Sequence, residues 1–191
     1  GFPMNIQNKK YKFLGNPSRY EGLPRKKLNK NKMVFNIAVV GGSLGAKVFN
    51  DVIPKAVYDI LRKTECEINI IHQTGKTYKT AEIQYNNFDV NLDLREYIDD
   101  MSEVYGWCDL IICRGGAITL TEIMNQGIPA IVVPYPYATD NHQMKNCSFL
   151  EKHNAIISIE QKNFTETNLS NIVLKLINNV NLLESLSKNI Y

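Results

Sequence analysis

Two glycine-rich segments in this sequence are placed where they could bind a phosphate. The first reads Gly-Gly-Ser-Leu-Gly-Ala over residues 41–46 and follows an apolar, β-branched run at 34–40. The second reads Arg-Gly-Gly-Ala over 114–117 and follows the predicted strand Asp-Leu-Ile-Ile-Cys at 109–113. A helical pattern comes after each, so each predicts a strand–turn–helix unit whose helix N-terminus attracts anions. Two such turns facing one crevice suit a diphosphate.

Polar side chains near these turns could bind hydroxyl groups. Glu122 lies near the end of the first turn of the helix predicted at 118–126. There it could accept hydrogen bonds from the vicinal hydroxyls of a ribose, or simply complement the helix dipole. Asp140, Asn141 and Gln143 lie at the start of a helix predicted at 140–153, where they could bond sugar hydroxyls. Ordinary capping of that helix by Asp140 and Asn141 is the alternative interpretation.

Two further segments carry weaker signals. Arg19 ends the stretch Gly-Asn-Pro-Ser-Arg and could reach a phosphate, although such a segment alone predicts only a turn with an exposed arginine. Asp99 and Asp100 form an acidic pair at the start of a short predicted helix, 99–107. We expect these acids to stabilise the helix N-terminus rather than to form a catalytic pair.

Strands and helices alternate along the chain from residue 34 onward. This pattern predicts an α/β fold, a Rossmann-like parallel sheet with helices on both faces, and a ligand site at the C-terminal strand ends. We expect residues 1–32 to form a linker and entry segment and residues 33–191 to form one domain. Pro54 lies inside the helix predicted at 46–62 and should kink it or start a second helix.

The overall composition excludes several function classes. The 22 basic and 19 acidic residues give a net charge of +3, which lacks the strong basic character of a nucleic-acid-binding protein. The basic cluster at 24–32 predicts a solvated loop, with attraction to an anionic surface as the alternative. The four cysteines are far apart and the histidines lack ligand spacing, so we expect no metal and a reducing compartment. No apolar run approaches the ~20 residues of a spanning helix.

Six segments, taken in order, resemble the MurG family, glycosyltransferase family 28. Its members are the bacterial transferases that move GlcNAc from UDP-GlcNAc to lipid I in peptidoglycan synthesis. The resemblance implies the C-terminal, donor-binding domain of a GT-B glycosyltransferase, and we expect the N-terminal acceptor domain to be absent from this chain. The matching segments are GNPSR (15–19), VVGGSLGAKVFND (39–51), IIHQTGK (70–76), YIDDM (97–101), DLIICRGGAITLTEI (109–123) and GIPAIVVPYPYATDNHQMKN (127–146).

The same resemblance implies a set of substrate-binding residues. They are Arg19, Ser43, Ile98, Gly116, Ala117, Ile118, Thr119, Glu122, Gln143 and Asn146. The first two would contact the diphosphate, and the Ile98 backbone would bind the uracil ring. Helix N–H groups of residues 116–119 would contact the diphosphate and sugar, Glu122 the ribose, and the last two the GlcNAc hydroxyls. Leu44 and Gly115 depart from the family pattern, which commonly has Gln and Ser there, but neither change removes a backbone donor.

The resemblance also implies a mechanism and partners. Transfer would be inverting, without a covalent intermediate, a metal or another cofactor, and helix N-termini would stabilise the departing UDP. The resemblance implies that the general base lies in the missing N-terminal domain, so the catalytic residues of this chain are unknown. The implied partners are UDP-GlcNAc and, through that domain, a lipid-linked acceptor. The implied location is the cytoplasm, peripheral on the cytoplasmic face of the plasma membrane.

Other interpretations stay open at the level of sequence. One is a stand-alone GlcNAc-transferase subunit that a membrane partner recruits, and another is a nucleotide-sugar-binding module without catalysis. A UDP-GlcNAc 2-epimerase shares the GT-B architecture, but its acid and histidine pattern is not found in this sequence. A dinucleotide-binding domain is disfavoured because the first turn lacks GxGxxG, and because His72 and Gln73 stand where an acid is expected.

Overall fold

The computed structural model describes Asn16, Tyr20 and residues 33–191 of the chain. Within these residues six strands form one sheet in which every neighbouring pair is parallel. The strands are β1 (Val34–Val40), β2 (Glu67–Gln73), β3 (Asn91–Arg95), β4 (Leu110–Cys113), β5 (Ala130–Val132) and β6 (Ile157–Ser158). The predicted linker, 1–32, lies outside the described residues apart from Asn16 and Tyr20.

Seven α-helices alternate with these strands and then close the chain. They are α1 (Lys47–Leu61), α2 (Tyr78–Tyr85), α3 (Met101–Trp107), α4 (Ala117–Gln126), α5 (His142–Lys152), α6 (Glu166–Ile177) and α7 (Val180–Ile190). Short 3₁₀ turns lie at Gly75–Thr77, Thr139–Asn141 and Gln161–Asn163. The strand–helix alternation that the sequence predicted is therefore confirmed.

The order of the strands determines where a ligand can bind. The strands of the sheet lie in the order β3-β2-β1-β4-β5-β6. Strands β1 to β3 therefore extend the sheet to one side and β4 to β6 extend it to the other, and the strand order switches between β1 and β4. In register, Val40 at the end of β1 pairs with Gln73 on one side and Cys113 on the other. The loops after these three strands therefore open at the same edge, beside the switch in strand order where α/β proteins bind ligands. The α/β fold class is confirmed.

Both faces of the sheet are buried because alternate side chains of each strand meet helices on opposite sides. In β1, Phe35, Ile37 and Val39 join a core with α1, α2, α6 and α7. Ala38 and Val40 join a second core with α3, α4 and α5. This two-sided burial explains why the central strands are continuous apolar runs.

Helix α1 passes through Pro54 as one helix, so of the two predicted alternatives, a kink and the start of a second helix, the second is wrong. Proline removes one intrahelical donor, which favours a break. Phe49, Ile53 and Val57 lie on both sides of the proline in sequence, and all three are buried in the same core. We infer that this packing stabilises the helix course across the proline.

The helix boundaries confirm two predictions and contradict a third. Gly127 ends α4 in the left-handed region (φ 62°), as its glycine predicted. Asp100 caps α3 by accepting from the Ser102 N–H at 2.9 Å. Asp140, however, is not the cap of α5: it lies at φ 52° in a 3₁₀ turn, and the helix begins only at His142. Aspartate and asparagine tolerate the left-handed region. Because Asp140 and Asn141 both adopt it, α5 begins two residues later than predicted.

Candidate functional site

Two adjoining cavities form a crevice at the C-terminal edge of the sheet. The larger has a volume of about 760 Å³ and is bordered by the turn after β1, the loop after β3 and the start of α4. The smaller, about 550 Å³, is bordered by the same turn, by the start of α4 and by Arg114 and Tyr135. Gly42, Ser43 and Thr119 line both cavities, so a single ligand could extend from one into the other.

The turn after β1 is shaped by glycines in the left-handed region. Gly42 and Gly45 have φ values of 87° and 73°, and the Gly45 N–H donates to the Gly42 carbonyl at 2.9 Å. A Cβ on Gly45 would overlap the carbonyl oxygen of Thr74, and a Cβ on Gly75 would overlap that of Leu44. The turn after β1 therefore contacts the turn after β2 closely enough to require glycine on both sides.

The first turn of α4 presents backbone donors to the crevice. Gly116 occupies the N-cap, and its carbonyl accepts from the Leu120 N–H at 3.0 Å. The N–H groups of the first three helical residues, 117–119, thus have no acceptor inside the helix. Asn16 packs on the same turn, since its Nδ2 donates to the Ala117 carbonyl at 3.4 Å, and it also donates to Thr121 Oγ1 at 2.9 Å. The geometry is that of an anion site at a helix N-terminus.

Glu122 is a nearly buried carboxylate that lines the larger cavity, with 8% of its surface exposed. The Tyr105 hydroxyl donates to Glu122 Oε2 at 2.6 Å. Burial, with a further contribution from that carboxylate, holds the pKa of Tyr105 above its ordinary value, so the hydroxyl stays a donor. Because α4 begins at Ala117, Glu122 lies in the second helical turn rather than at the end of the first as expected.

The Ile98 backbone already has one partner within the chain. Its N–H donates to Gln73 Oε1 at 3.2 Å, and the residue lines the larger cavity beside Tyr97 and Asp99. The Ile98 carbonyl could accept a hydrogen bond from a bound base. Its contact with uracil stays a prediction.

Gln143 and Asn146 fix the turn after β4. Gln143 Oε1 accepts from the Gly115 N–H at 3.1 Å and from the Tyr135 N–H at 2.9 Å. Asn146 Nδ2 donates to the Gly115 carbonyl at 3.1 Å. Gly115 is confined further, because a Cβ there would lie 2.8 Å from Cys147 Sγ. The side-chain oxygen of Gln143 thus orients backbone, and its amide nitrogen is the group left for a sugar.

Comparison with known proteins identifies the family. Residues 36–190 match the family model for the glycosyltransferase family 28 C-terminal domain. The chain belongs to this family.

Relatives of this family 28 domain are longer proteins. A UDP-N-acetylglucosamine–N-acetylmuramyl-(pentapeptide) pyrophosphoryl-undecaprenol N-acetylglucosamine transferase of Psychromonas ingrahamii is 38% identical over 98% of this chain and 53% of that protein. The transferase of the same name from Shewanella baltica strain OS155 is 40% identical over 80% of the chain and 43% of that protein. The chain spans about half the length of the curated relatives it matches.

Solved structures agree with this family 28 assignment. The crystal structure of Acinetobacter baumannii MurG is 35% identical, with a TM-score of 0.72 over 85% of this chain and 46% of that chain. The Staphylococcus aureus MnaA–UDP structure has a TM-score of 0.61 at 16% identity, over 82% of this chain and 41% of that chain. The second likeness concerns the fold alone.

The family 28 fold brings most of the predicted site residues to the crevice. Those that line one or both cavities are Ser43, Ile98, Gly116, Ile118, Thr119, Glu122 and Gln143. Ala117 lies in the same helical turn, and Asn146 lies behind it on Gly115. Arg19 lies outside the described residues.

Sequence reasoning assigned no role to Arg114, which lines the smaller cavity. Its guanidinium lies 4.9 Å from the Phe49 ring centroid and 5.5 Å from that of Tyr135. It donates to the Val133 carbonyl at 3.1 Å and to Gln161 Oε1 at 2.8 Å. Burial lowers its pKa from the ordinary value, yet the group remains a cation near neutral pH. Its position directly before the second glycine pair, Gly115-Gly116, is the feature of the sequence that could have indicated a role in the site.

Tyrosines 20 and 105 are further residues that the sequence pattern did not reveal. Their rings meet edge to face with centroids 5.6 Å apart, and both line the larger cavity. The Tyr20 hydroxyl accepts from the Met101 N–H at 3.2 Å. No local pattern marks either residue, because each acts through contacts distant in sequence.

Among the described residues, no helix has the length and apolar character needed to cross a bilayer. In the same part of the chain, no three His, Cys, Asp or Glu side chains lie together as a metal site.

Proposed function

We propose that this chain is the UDP-GlcNAc-binding half of an inverting transferase that moves GlcNAc to lipid I, the lipid-linked muramyl-pentapeptide, and so forms lipid II. The relatives from Psychromonas ingrahamii and Shewanella baltica are named for this transfer, which supports the assignment. The acceptor-binding site and the general base would lie in polypeptide outside this chain. The enzyme would act in the cytoplasm, bound peripherally to the inner face of the plasma membrane.

The observation that carries the proposal is the distribution of charge along the crevice. A nearly buried carboxylate, Glu122, lies at the larger cavity, while the first turn of α4 and Arg114 lie along the path to the smaller one. A carboxylate suits the ribose hydroxyls, whereas helix N–H groups and a guanidinium suit phosphates. The larger cavity would then hold the nucleoside and the smaller one the sugar.

The same groups support a role in leaving-group departure. As the acceptor oxygen bonds to C1 of GlcNAc on one face, the bond from C1 to the diphosphate oxygen breaks on the other, and the configuration inverts. Negative charge develops on the departing UDP. The N–H groups of residues 117–119 and the Arg114 guanidinium are held in place before the reaction and would stabilise that charge. The Ser43 hydroxyl would add a further donor.

Calorimetric titration of the chain with UDP-GlcNAc, UDP-GalNAc and UDP tests the proposal. We expect saturable binding with a preference for UDP-GlcNAc over its C4 epimer. As a control, Glu65→Gln should bind UDP-GlcNAc like the unsubstituted chain, because Glu65 is exposed and precedes β2 at the opposite edge of the sheet. Binding of UDP without discrimination between the two sugars would contradict the donor assignment and favour a plain nucleotide-binding module.

A further inference from the structure

Gln73 belongs to the segment His-Gln-Thr-Gly-Lys, whose function the proposed nucleotide contacts leave unexplained. It is the last residue of β2 and pairs in register with Val40 on β1 and Arg95 on β3. It therefore lies between the turn after β1 and the loop after β3. Only 3% of its surface is exposed, and it lines the larger cavity.

The side-chain amide of Gln73 joins those two loops directly. Its Nε2 donates to the Gly42 carbonyl at 2.8 Å, and its Oε1 accepts from the Ile98 N–H at 3.2 Å. The two partners fix the orientation of the amide, since a carbonyl requires the NH₂ and an N–H requires the oxygen. The Gly42 carbonyl also accepts from Gly45, so the bond from Gln73 reaches the hydrogen-bonded centre of the glycine turn.

The residues after Gln73 attach to the same two loops. The Thr74 N–H donates to the Arg95 carbonyl at 2.9 Å, and the Gly75 N–H donates to the Glu96 carbonyl at 3.0 Å. On the other side, Thr74 and Gly75 touch Gly45 and Leu44 so closely that neither Gly45 nor Gly75 has space for a Cβ. Segment 73–75 thus contacts both the turn after β1 and the loop after β3, through hydrogen bonds and close packing.

We infer that Gln73 is a positioning residue, which holds the turn after β1 and the loop after β3 at the separation that a nucleoside diphosphate requires. This inference rests on the proposed function, in which the first loop meets the diphosphate and the second meets the base. The base and the diphosphate are joined by a fixed number of covalent bonds in the ligand. Both loops must therefore be correctly positioned at the same time for the ligand to contact both. Gln73 acts through their backbones, at Gly42 and Ile98.

The first test compares ligands that span one or both loops. Gln73→Leu removes both hydrogen bonds and should weaken UDP binding about tenfold, while the affinity for uridine, measured by NMR titration, changes less than twofold. Equal losses for UDP and uridine would overturn the inference, because they would indicate a direct base contact or general destabilisation. Unchanged binding of both ligands would overturn it as well.

The second test uses a substitution whose effect depends on pH. In Gln73→Glu, a protonated carboxyl group can still donate to Gly42 and accept from Ile98, whereas the carboxylate can only accept. Burial raises the pKa of the introduced carboxyl group, so affinity for UDP should recover as pH falls through that pKa. The unsubstituted chain and Gln84→Glu, a matched change on α2, should show no such recovery. A Gln73→Glu variant that stays weak at every pH would contradict the positioning role.

Hydrogen exchange separates this inference from the proposed function. Failure of the unsubstituted chain to bind UDP would refute the proposed function by itself. Without any ligand, Gln73→Leu should still speed exchange of the Ile98 N–H at least tenfold, since that donor loses its acceptor. Unchanged exchange at Ile98 would show that Gln73 does not hold the loop.

Discussion

Replacement of Glu122 gives the sharpest test of how the crevice recognises a nucleotide. The side chain is 8% exposed and lines the larger cavity, and one of its oxygens already accepts from Tyr105. Hydrogen bonds to a charged group contribute about 1.5–3 kcal/mol, so Glu122→Ala should weaken UDP-GlcNAc binding roughly 10- to 150-fold.

A matched variant separates recognition from stability. Glu122→Ala leaves the buried Tyr105 hydroxyl without its acceptor, which should lower the free energy of unfolding by about 1–3 kcal/mol. Glu122→Gln keeps a carbonyl oxygen for Tyr105 but no longer offers a carboxylate to a ribose. We therefore expect Glu122→Gln to unfold close to the unsubstituted chain while it still binds UDP-GlcNAc weakly.

The assay that decides the role compares UDP with 2′-deoxy-UDP by calorimetry. If Glu122 binds the ribose hydroxyls, removal of the 2′-hydroxyl weakens binding to the unsubstituted chain and has little further effect on Glu122→Gln. A deoxy penalty that is equal in both proteins would refute the ribose assignment, as would unchanged affinity of Glu122→Ala for UDP-GlcNAc.

Three further outcomes follow from the geometry. Gly45→Ala should lower the free energy of unfolding, measured in urea, by more than ~3 kcal/mol, because the new Cβ would overlap the Thr74 carbonyl. Gly42→Ala has open space around its Cβ and should lower it by only the ~1–2 kcal/mol of an alanine in the left-handed region. Equal losses in the two variants would contradict this. Burial lowers the pKa of His72 to about 3, so the unfolded chain binds a proton below its ordinary pKa of 6.5 and the native chain does not. Stability should therefore fall by about 2 kcal/mol between pH 8 and pH 5 through this group, and thermal melts of His72→Gln should lack that part of the decline. Iodoacetamide should label Cys66 in the native chain and spare the other three thiols, which are buried; mass spectrometry that finds all four modified without unfolding would oppose this.

The sequence predicted those parts of the fold that depend on local composition. The strand at 34–40 was placed correctly because a buried parallel strand is a continuous β-branched run bounded by turn residues. The end of α4 followed from Gly127, since glycine is the preferred residue in the left-handed region. The start of α5 was misplaced, because consecutive left-handed residues at Asp140 and Asn141 leave no local pattern.

The candidate site was predicted where backbone groups form it and missed where distant side chains meet. Glycine turns and helix starts can be recognised within a few residues, so both strand–turn–helix units at the crevice were predicted, and their binding of a diphosphate stays a prediction. The bonds from Tyr105 to Glu122 and from Gln73 to Gly42 connect residues 17 and 31 positions apart. Only the strand order of the sheet brings such pairs together, and that order is a property of the whole chain.

The reversal in strand order also has a mechanical consequence. The turn after β1 belongs to one half of the sheet and the start of α4 to the other, so a molecule seated between them acts as a noncovalent cross-link across the seam. Its binding free energy would be added to the free energy needed to separate the two halves on unfolding. The melting temperature would therefore rise with the logarithm of ligand concentration. Amides of β5 and of residues 67–72 in β2, which do not line either cavity, would then gain protection together.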